Sequence, residues 1–409
     1  MKLHLTGPSE NQLHAQIKIT GSKSESNRSL LLAALYDGVT IENTSNSDDA
    51  RVMAEGLKKT SGTVDIHHAG TAMRFLTGYF SGQEGKNVLL TGSKRMTERP
   101  IKILVDALRD IGADISYEKE EGYPPIRING KALMKDKVSL PANVSSQYIS
   151  SLLLLAPSLK NGLELELVGK ITSVPYIKMT LGLLDELGIP NSFDGNLITV
   201  SPKTSVMPTG LVVESDWSSA SYYYSIIAMA AIGSEITLSA YKQNSLQGDS
   251  VLAELYTRFG VQTTFEEHTI RLIKTNEPVT NTVEFDLANA PDIAQTIAVT
   301  TFGLGMGCLL TGLHTLKIKE TDRLEALHTE LSKFGADIAV TDKSLTIKPS
   351  QSFKKDVAVD TYNDHRMAMA FAPLAMKKAL YINDAEVVSK SYPDFWEDLK
   401  GLQFTVSEL

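Results

Sequence analysis

The sequence predicts an α/β (α+β) protein of two similar domains, each made of three repeated β-α-β units. Three observations lead there. The pattern apolar-x-x-apolar-Gly recurs as Leu108…Ile111-Gly112, Leu184…Leu187-Gly188, Tyr256…Phe259-Gly260 and Leu331…Phe334-Gly335, with glycines 76, 72 and 75 residues apart. Each copy reads as the last turn of an amphipathic helix, with the glycine in the left-handed position beyond it and a strand-like segment next. Alternating runs such as Thr237–Ser239 and Ile338–Ile347 supply strands in the remainder. Two weaker copies, Leu57…Gly62 and Leu399…Leu402, bring the count to six units in 409 residues, about 68 residues each. The near-constant spacing outweighs chance similarity of helix ends.

The length allows two or three domains. Pro208 and Gly210 interrupt the pattern within Val206–Glu214, which sets a soft boundary, and a second crossing near Thr20 would make a hinge. The composition, 42% hydrophobic and 22% charged, is that of a soluble globular chain. Met1-Lys2-Leu3-His4-Leu5 reads as a strand rather than a signal peptide, and no transit peptide is visible, so a cytoplasmic protein is expected. No apolar run reaches the roughly 18–20 residues that span a bilayer, so no membrane partner is expected. A net charge of −8 argues against nucleic acid, which asks for a basic face. The only cysteine, Cys308, lies in the apolar stretch Phe302–Leu310 and reads as a buried thiol, not a nucleophile or metal ligand.

Taken in order, the first chemistry-bearing stretch is Gly21-Ser22-Lys23-Ser24-Glu25-Ser26-Asn27-Arg28, ahead of the apolar run Leu30–Leu35. It reads as a polar loop entering a helix N-terminus, where free N–H groups, two cations and hydroxyls suit a phosphate or carboxylate. A capped surface helix is an equally good reading of this stretch alone. The layout recurs. Ala69-Gly70-Thr71-Ala72-Met73-Arg74 precedes Phe75–Phe80, and Asn143-Val144-Ser145-Ser146-Gln147 precedes Tyr148–Leu155. Pro291-Asp292 opens Ile293–Thr301, Lys319-Glu320-Thr321-Asp322-Arg323 opens a helix with Leu324, Leu327, Leu331 and Phe334 on one face, and Asn363-Asp364-His365-Arg366 opens Met367–Met376. A helix start needs a cap but not a cation, which the dipole disfavours there. Arg28, Arg74, Arg323 and Arg366 read as sitting in that disfavoured place, and recurrent local penalties point to function. Arginine also grips phosphate and carboxylate with two N–H groups. Arg95 and Lys390 add cations in polar loops. Asp292 and Glu320 add carboxylates, which a pure anion site does not need and a proton-moving site does. Lys23, expected among other cations, suits a proton donor.

Other motifs carry less. Gly303-Leu304-Gly305-Met306-Gly307 lacks the third glycine of a dinucleotide loop, since Cys308 follows it, and reads as a packed apolar segment. His67-His68 reads as a turn rather than a metal site. Tyr222-Tyr223-Tyr224 reads as helix core.

Together these motifs resemble the enolpyruvyl transferases of the EPSP synthase family, over nearly the whole chain. The resemblance implies two domains of three repeats with helices packed inside sheets and the active site in the interdomain cleft. One domain would be discontinuous, residues 1–19 with 214–409, and the other 20–213. It implies transfer of the enolpyruvyl group of phosphoenolpyruvate to the 5-hydroxyl of shikimate 3-phosphate, with no metal or organic cofactor, in a monomer. Lys23, Ser24, Arg28, Ser145, Ser146, Gln147, Ser173, Tyr176, Asp292 and Lys319 would bind shikimate 3-phosphate. Lys23, Gly70, Arg95, Gln147, Arg323, Arg366 and Lys390 would bind phosphoenolpyruvate, with Arg74 as support. Lys23, Asp292 and Glu320 would be catalytic. Gly70 leaves room for glyphosate, so sensitivity to it is expected. His68 and Phe75 depart from the family pattern, where an asparagine or small residue and a proline are usual, and both flank the phosphoenolpyruvate stretch. The sister enzyme acting on UDP-N-acetylglucosamine generally uses a loop cysteine, which Cys308 does not match. A nucleic-acid-end protein like the RNA 3′-phosphate cyclases would present a basic surface.

Overall fold

The computed structural model describes residues 1–171 and 174–409. The chain forms two compact units, Met1–Thr20 with Glu214–Leu409, and Gly21–Val213. Each has its own hydrophobic core.

Among the described residues, five four-stranded sheets share one order of strand pairing. In the Gly21–Val213 unit, Ser61–Asp65 passes through the helix Gly70–Ser81 to the parallel strand Asn87–Thr91. The helix Lys102–Asp110 then leads to the hairpin Asp114–Tyr117 and Ile126–Asn129, whose second strand pairs antiparallel with Asn87–Thr91. The unit is thus β-α-β-α-β-β, one helix and one hairpin more than a simple β-α-β. Lys137–Pro141, Leu163–Val168, Asn191–Asp194 and Leu197–Val200 repeat it. A third, reduced copy is the parallel pair Val39–Glu42 and Thr209–Val212.

In the other unit, Thr282–Asp286, Gly307–Thr311, Ile338–Val340 and Leu345–Ile347 form one such sheet, so the run expected as a single alternating strand over 338–347 is a hairpin. The two remaining sheets explain why the first twenty residues belong here. His14–Ile17 lies parallel to Glu235–Ser239, and Leu3–Thr6 is inserted between Leu380–Ile382 and Thr405–Glu408.

The two helices of a repeat differ because their sequences do. Gly70–Ser81, Trp217–Met229 and His365–Phe371 are buried at every residue. Their charge-poor sequences, with small residues interspersed, suit a helix enclosed on all sides. Lys102–Asp110 instead buries Leu104, Val105, Ala107 and Leu108 and exposes Lys102, Asp106 and Asp110. The stripe Leu324, Leu327, Leu331 and Phe334 of Arg323–Phe334 is buried in the same way.

The four repeat glycines, Gly112, Gly188, Gly260 and Gly335, all have positive φ. Of the weaker copies, Gly62 lies within a strand, and Gln403 takes the left-handed position after Phe395–Gly401. Two glycines separate backbone strain from space. At Gly188 (φ 64°) a Cβ would meet nothing within 4 Å, whereas at Gly260 (φ 75°) it would fall 1.7 Å from the Asn276 carbonyl oxygen. Gly188→Ala is expected to cost about 1–2 kcal/mol for the left-handed backbone alone. Gly260→Ala should cost clearly more, because the Asn276 backbone must move. Urea unfolding of both variants checks this, and equal costs would contradict it.

Candidate active site

In the Gly21–Val213 unit, the polar stretch 21–28 is not a loop. Lys23 begins a helix that runs Lys23–Leu35, after Ser22 at its N-cap. Arg28 is therefore in the second turn and Arg74 in the second turn of Gly70–Ser81, not at the helix ends where the sequence reading put them. Their penalty is of another kind, since both are buried. Arg28 donates from Nε to Thr180 Oγ1 at 2.8 Å, and from its two terminal nitrogens to the Ser24 carbonyl at 2.7 Å and Ser150 Oγ at 2.9 Å. Burial pulls its guanidinium down to about 10. Phe75, one of the two departures from the family pattern, lies beneath Arg28, its ring centre 5.2 Å from Cζ. Arg74 donates to the carbonyls of Gly70 and Pro100 at 3.1 and 3.3 Å, and its own carbonyl accepts from Ser151 Oγ at 2.7 Å.

These bonds tie together the first two turns of four helices, Lys23–Leu35, Gly70–Ser81, Ser146–Leu155 and Val174–Glu186. Gln147 adds a bond to Thr71 Oγ1 at 3.0 Å, and the Tyr176 carbonyl accepts from Thr180. Four helix starts at one end of the unit supply N–H groups and positive dipole ends, a setting for an anion. Lys23, Gly70, Ser145, Ser146, Gln147 and Tyr176 are at or just before those starts. Ser145 is the N-cap of its helix, its hydroxyl accepting from the Gln147 N–H at 3.4 Å. Ser173 lies outside the described residues. Arg95 is exposed, 3.5 Å from Glu98. Lys23 is not simply among cations. Its Nζ is 3.8 Å from Asp49 Oδ2, and the other oxygen of Asp49 is 4.0 Å from His68 Nε2.

The Glu214–Leu409 portion holds a second cluster. Arg323, the first residue of its helix, is buried and donates to three carboxylates: Asp364 at 2.7 Å, Glu320 at 2.8 Å and Asp292 at 2.9 Å. Burial opposes its charge, but Asp364, Glu320 and Asp292 outweigh that and hold it well above the usual arginine range. Arg366, second in the helix His365–Phe371, lies 3.4 Å from Asp292 Oδ2 and donates to the Asp292 carbonyl at 3.2 Å. Lys319 Nζ is 3.6 Å from Asp292 Oδ1, and Lys390 donates to the Asn363 carbonyl. Here the dipole penalty on an arginine at a helix start is real, and carboxylates offset it. Asp322 and Asp364 cap the two helices, and Asp364 also pairs with Arg323. Asp292 and Glu320 meet at one guanidinium, which brings two carboxylates into a cluster of cationic hydrogen-bond donors.

The comparisons with known proteins agree over the full length. The family profile described as EPSP synthase (3-phosphoshikimate 1-carboxyvinyltransferase) matches residues 8–66 and 60–399. A curated 3-phosphoshikimate 1-carboxyvinyltransferase from Bacteroides fragilis is 44% identical, with 99% of each chain covered. The chain belongs to the EPSP synthase family. A relative of the same name from Haemophilus influenzae is 36% identical over 94% of this chain and 96% of its own. Among solved structures, the EPSP synthase of Acinetobacter baumannii superposes with a TM-score of 0.83 at 22% identity over the whole of both chains. The enolpyruvyl transferase NikO of Streptomyces tendae does so at 0.73 and 14%, covering 99% of this chain and 98% of its own. Those two show the shared fold of two-domain enolpyruvyl transferases.

Within this EPSP synthase family member, the sequence reading missed several residues that the fold brings to the two clusters. Asp49 pairs with Lys23, and Asp364 with Arg323. Arg99 lies against the start of the Gly70 helix, where a Cβ on Gly70 would fall 2.7 Å from its guanidinium. Arg99 carried a signal, being a second arginine four residues after Arg95; Asp49 carried none beyond an ordinary helix start. Cys308 is buried, and burial pushes its thiol up to about 12, which suits packing and not nucleophilic attack. No helix among the described residues is long and apolar enough to cross a membrane.

Proposed function

We propose that this chain transfers the enolpyruvyl group of phosphoenolpyruvate to the 5-hydroxyl of shikimate 3-phosphate. The full-length likeness to curated 3-phosphoshikimate 1-carboxyvinyltransferases carries the reading. The geometry supplies a chemistry consistent with it. Both substrates are multiply anionic, and cations at helix starts offset the repulsion between them. The 5-hydroxyl oxygen adds to C2 of phosphoenolpyruvate while its proton leaves and C3 gains one, giving a tetrahedral phospho-ketal. C3 then loses a proton, the bond from C2 to the phosphate oxygen breaks, and inorganic phosphate departs. In this reading Lys23 delivers and recovers the C3 proton, while Asp292 and Glu320 handle the hydroxyl proton. Ser145, Ser146, Ser173, Gln147, Tyr176, Ser24, Arg28 and Lys319 hold shikimate 3-phosphate. Gly70, Arg95, Arg323, Arg366 and Lys390 hold phosphoenolpyruvate. No metal or organic cofactor has a role in these steps, and a cytoplasmic monomer fits them.

The test is phosphate release on mixing the protein with both substrates. Each substrate alone, and UDP-N-acetylglucosamine in place of the shikimate, serve as controls. Release that needs both substrates is the expected result, with inhibition by glyphosate in the same assay. Release only with the UDP-sugar would move the assignment to the sister enzyme.

A further inference from the structure

Behind the Asp292–Arg366 pair lies a buried carboxylate that none of the steps above uses. Asp249 sits in the single turn Gly248–Val251, and it and Ser218, in the first turn of Trp217–Met229, are both under a tenth exposed. The Ser218 hydroxyl donates to Asp249 Oδ2 and accepts from the terminal nitrogen of Arg366 at 3.2 Å. That same Arg366 nitrogen is 3.4 Å from Asp292 Oδ2.

A hydroxyl has one proton and two lone pairs, and a guanidinium can only donate. Ser218 can therefore accept from Arg366 only while its own proton points elsewhere. An ionised Asp249, which can only accept, holds that proton. A protonated Asp249 can donate instead, which frees the Ser218 proton to turn toward Arg366 and sets two donors against each other.

We propose that Asp249 is a positioning residue of this enzyme: through Ser218 it fixes the Arg366 guanidinium, and with it Asp292, for the anionic substrate. The inference rests on the proposed reaction for its effect on turnover, and on the hydrogen-bond chain alone for its effect on Arg366. The charged groups that face Asp249 are Asp292, Arg366 and Asp216. Burial, then the neighbouring Asp292, push the Asp249 carboxyl up to about 7, against the pull of Arg366 and the Ser218 bond. Positioning is thus complete above that pH and lost as pH falls through it.

The experiment compares pH profiles of kcat/KM for phosphoenolpyruvate in the wild type, Asp249→Asn, Asp249→Ala and Ser218→Ala, with circular dichroism to check folding. Asparagine keeps an acceptor for Ser218 at every pH and does not titrate. Asp249→Asn should keep most activity at alkaline pH and lose the acid limb near neutrality. Asp249→Ala and Ser218→Ala should each raise KM about tenfold, the scale of one hydrogen bond to a charged group, and the double variant should be no worse than either. An unchanged acid limb in folded Asp249→Asn, or a wild-type KM in folded Asp249→Ala, overturns the proposal. If the wild type itself releases no phosphate, it is the reaction that fails. The Arg366 side-chain nitrogen resonances then decide the inference. They should shift with pH near neutrality in the wild type and not in Asp249→Asn, and identical behaviour in the two refutes it.

Discussion

Replacing Arg323 with methionine is expected to abolish turnover and to destabilise the unit that carries it by about 3–5 kcal/mol, the scale of a broken buried ion pair. The guanidinium is buried and holds Asp292, Glu320 and Asp364 at 2.7–2.9 Å. Without it Asp292 still has Arg366 and Lys319 nearby, but Asp364, itself fully buried, is left with the Arg366 backbone N–H at 2.8 Å and no arginine side chain. Lysine should restore little, since one ammonium cannot present a planar fork to three partners. The two tryptophans of the chain, Trp217 and Trp396, both lie in the Glu214–Leu409 portion, so their fluorescence during urea unfolding reports on this unit. A wild-type midpoint for Arg323→Met would refute the structural claim. Phosphate release lowered by less than about a hundredfold, the usual loss on removing one donor to developing charge, would refute the catalytic one.

Lys23→Met should leave stability nearly unchanged and lower the rate. The Lys23 side chain is partly exposed and its approach to Asp49 is long, at 3.8 Å, so its loss should change stability by no more than about 1 kcal/mol. If Lys23 moves the C3 proton, turnover should fall by about 10²–10⁴-fold, the range for a positioned acid–base group. Far-UV circular dichroism during unfolding follows the fold, and phosphate release follows the rate. A variant that unfolds early would make Lys23 a structural residue, and one that keeps its rate would remove it from the chemistry.

Much of the architecture was legible because helix ends are local. A glycine at positive φ after an apolar stripe marks where a helix stops, and Gly112, Gly188, Gly260 and Gly335 do so at near-constant spacing. Helix starts were harder. Ser22 makes no side-chain cap bond, so the polar residues 23–28 looked like a loop, although they form the first two turns of a helix. Within them, Arg28 is held by Ser150 and Thr180, more than a hundred residues away. The hairpin at 338–347 did leave a local mark, since the polar run Thr341-Asp342-Lys343-Ser344 interrupts the alternation between its two strands.

The site divides along the same line. Arg323 and Arg366 stood out because a cation is the wrong kind of residue for a helix start, which is a local rule broken, and Asp292 and Glu320 because carboxylates stand among residues suited to anions. Their partners did not, because Asp49, Ser218, Asp249 and Asp364 are unremarkable where they stand. What the sequence by itself determined was the class of elements, their repetition and the residue types able to hold anions. Only the tertiary structure decided which carboxylate meets which guanidinium, and that Asp249 reaches Arg366 through a serine. The physical reason is that secondary structure is encoded over a few neighbouring residues. The strength and direction of a buried hydrogen bond or ion pair depend instead on groups that only the folded chain brings within about 3 Å.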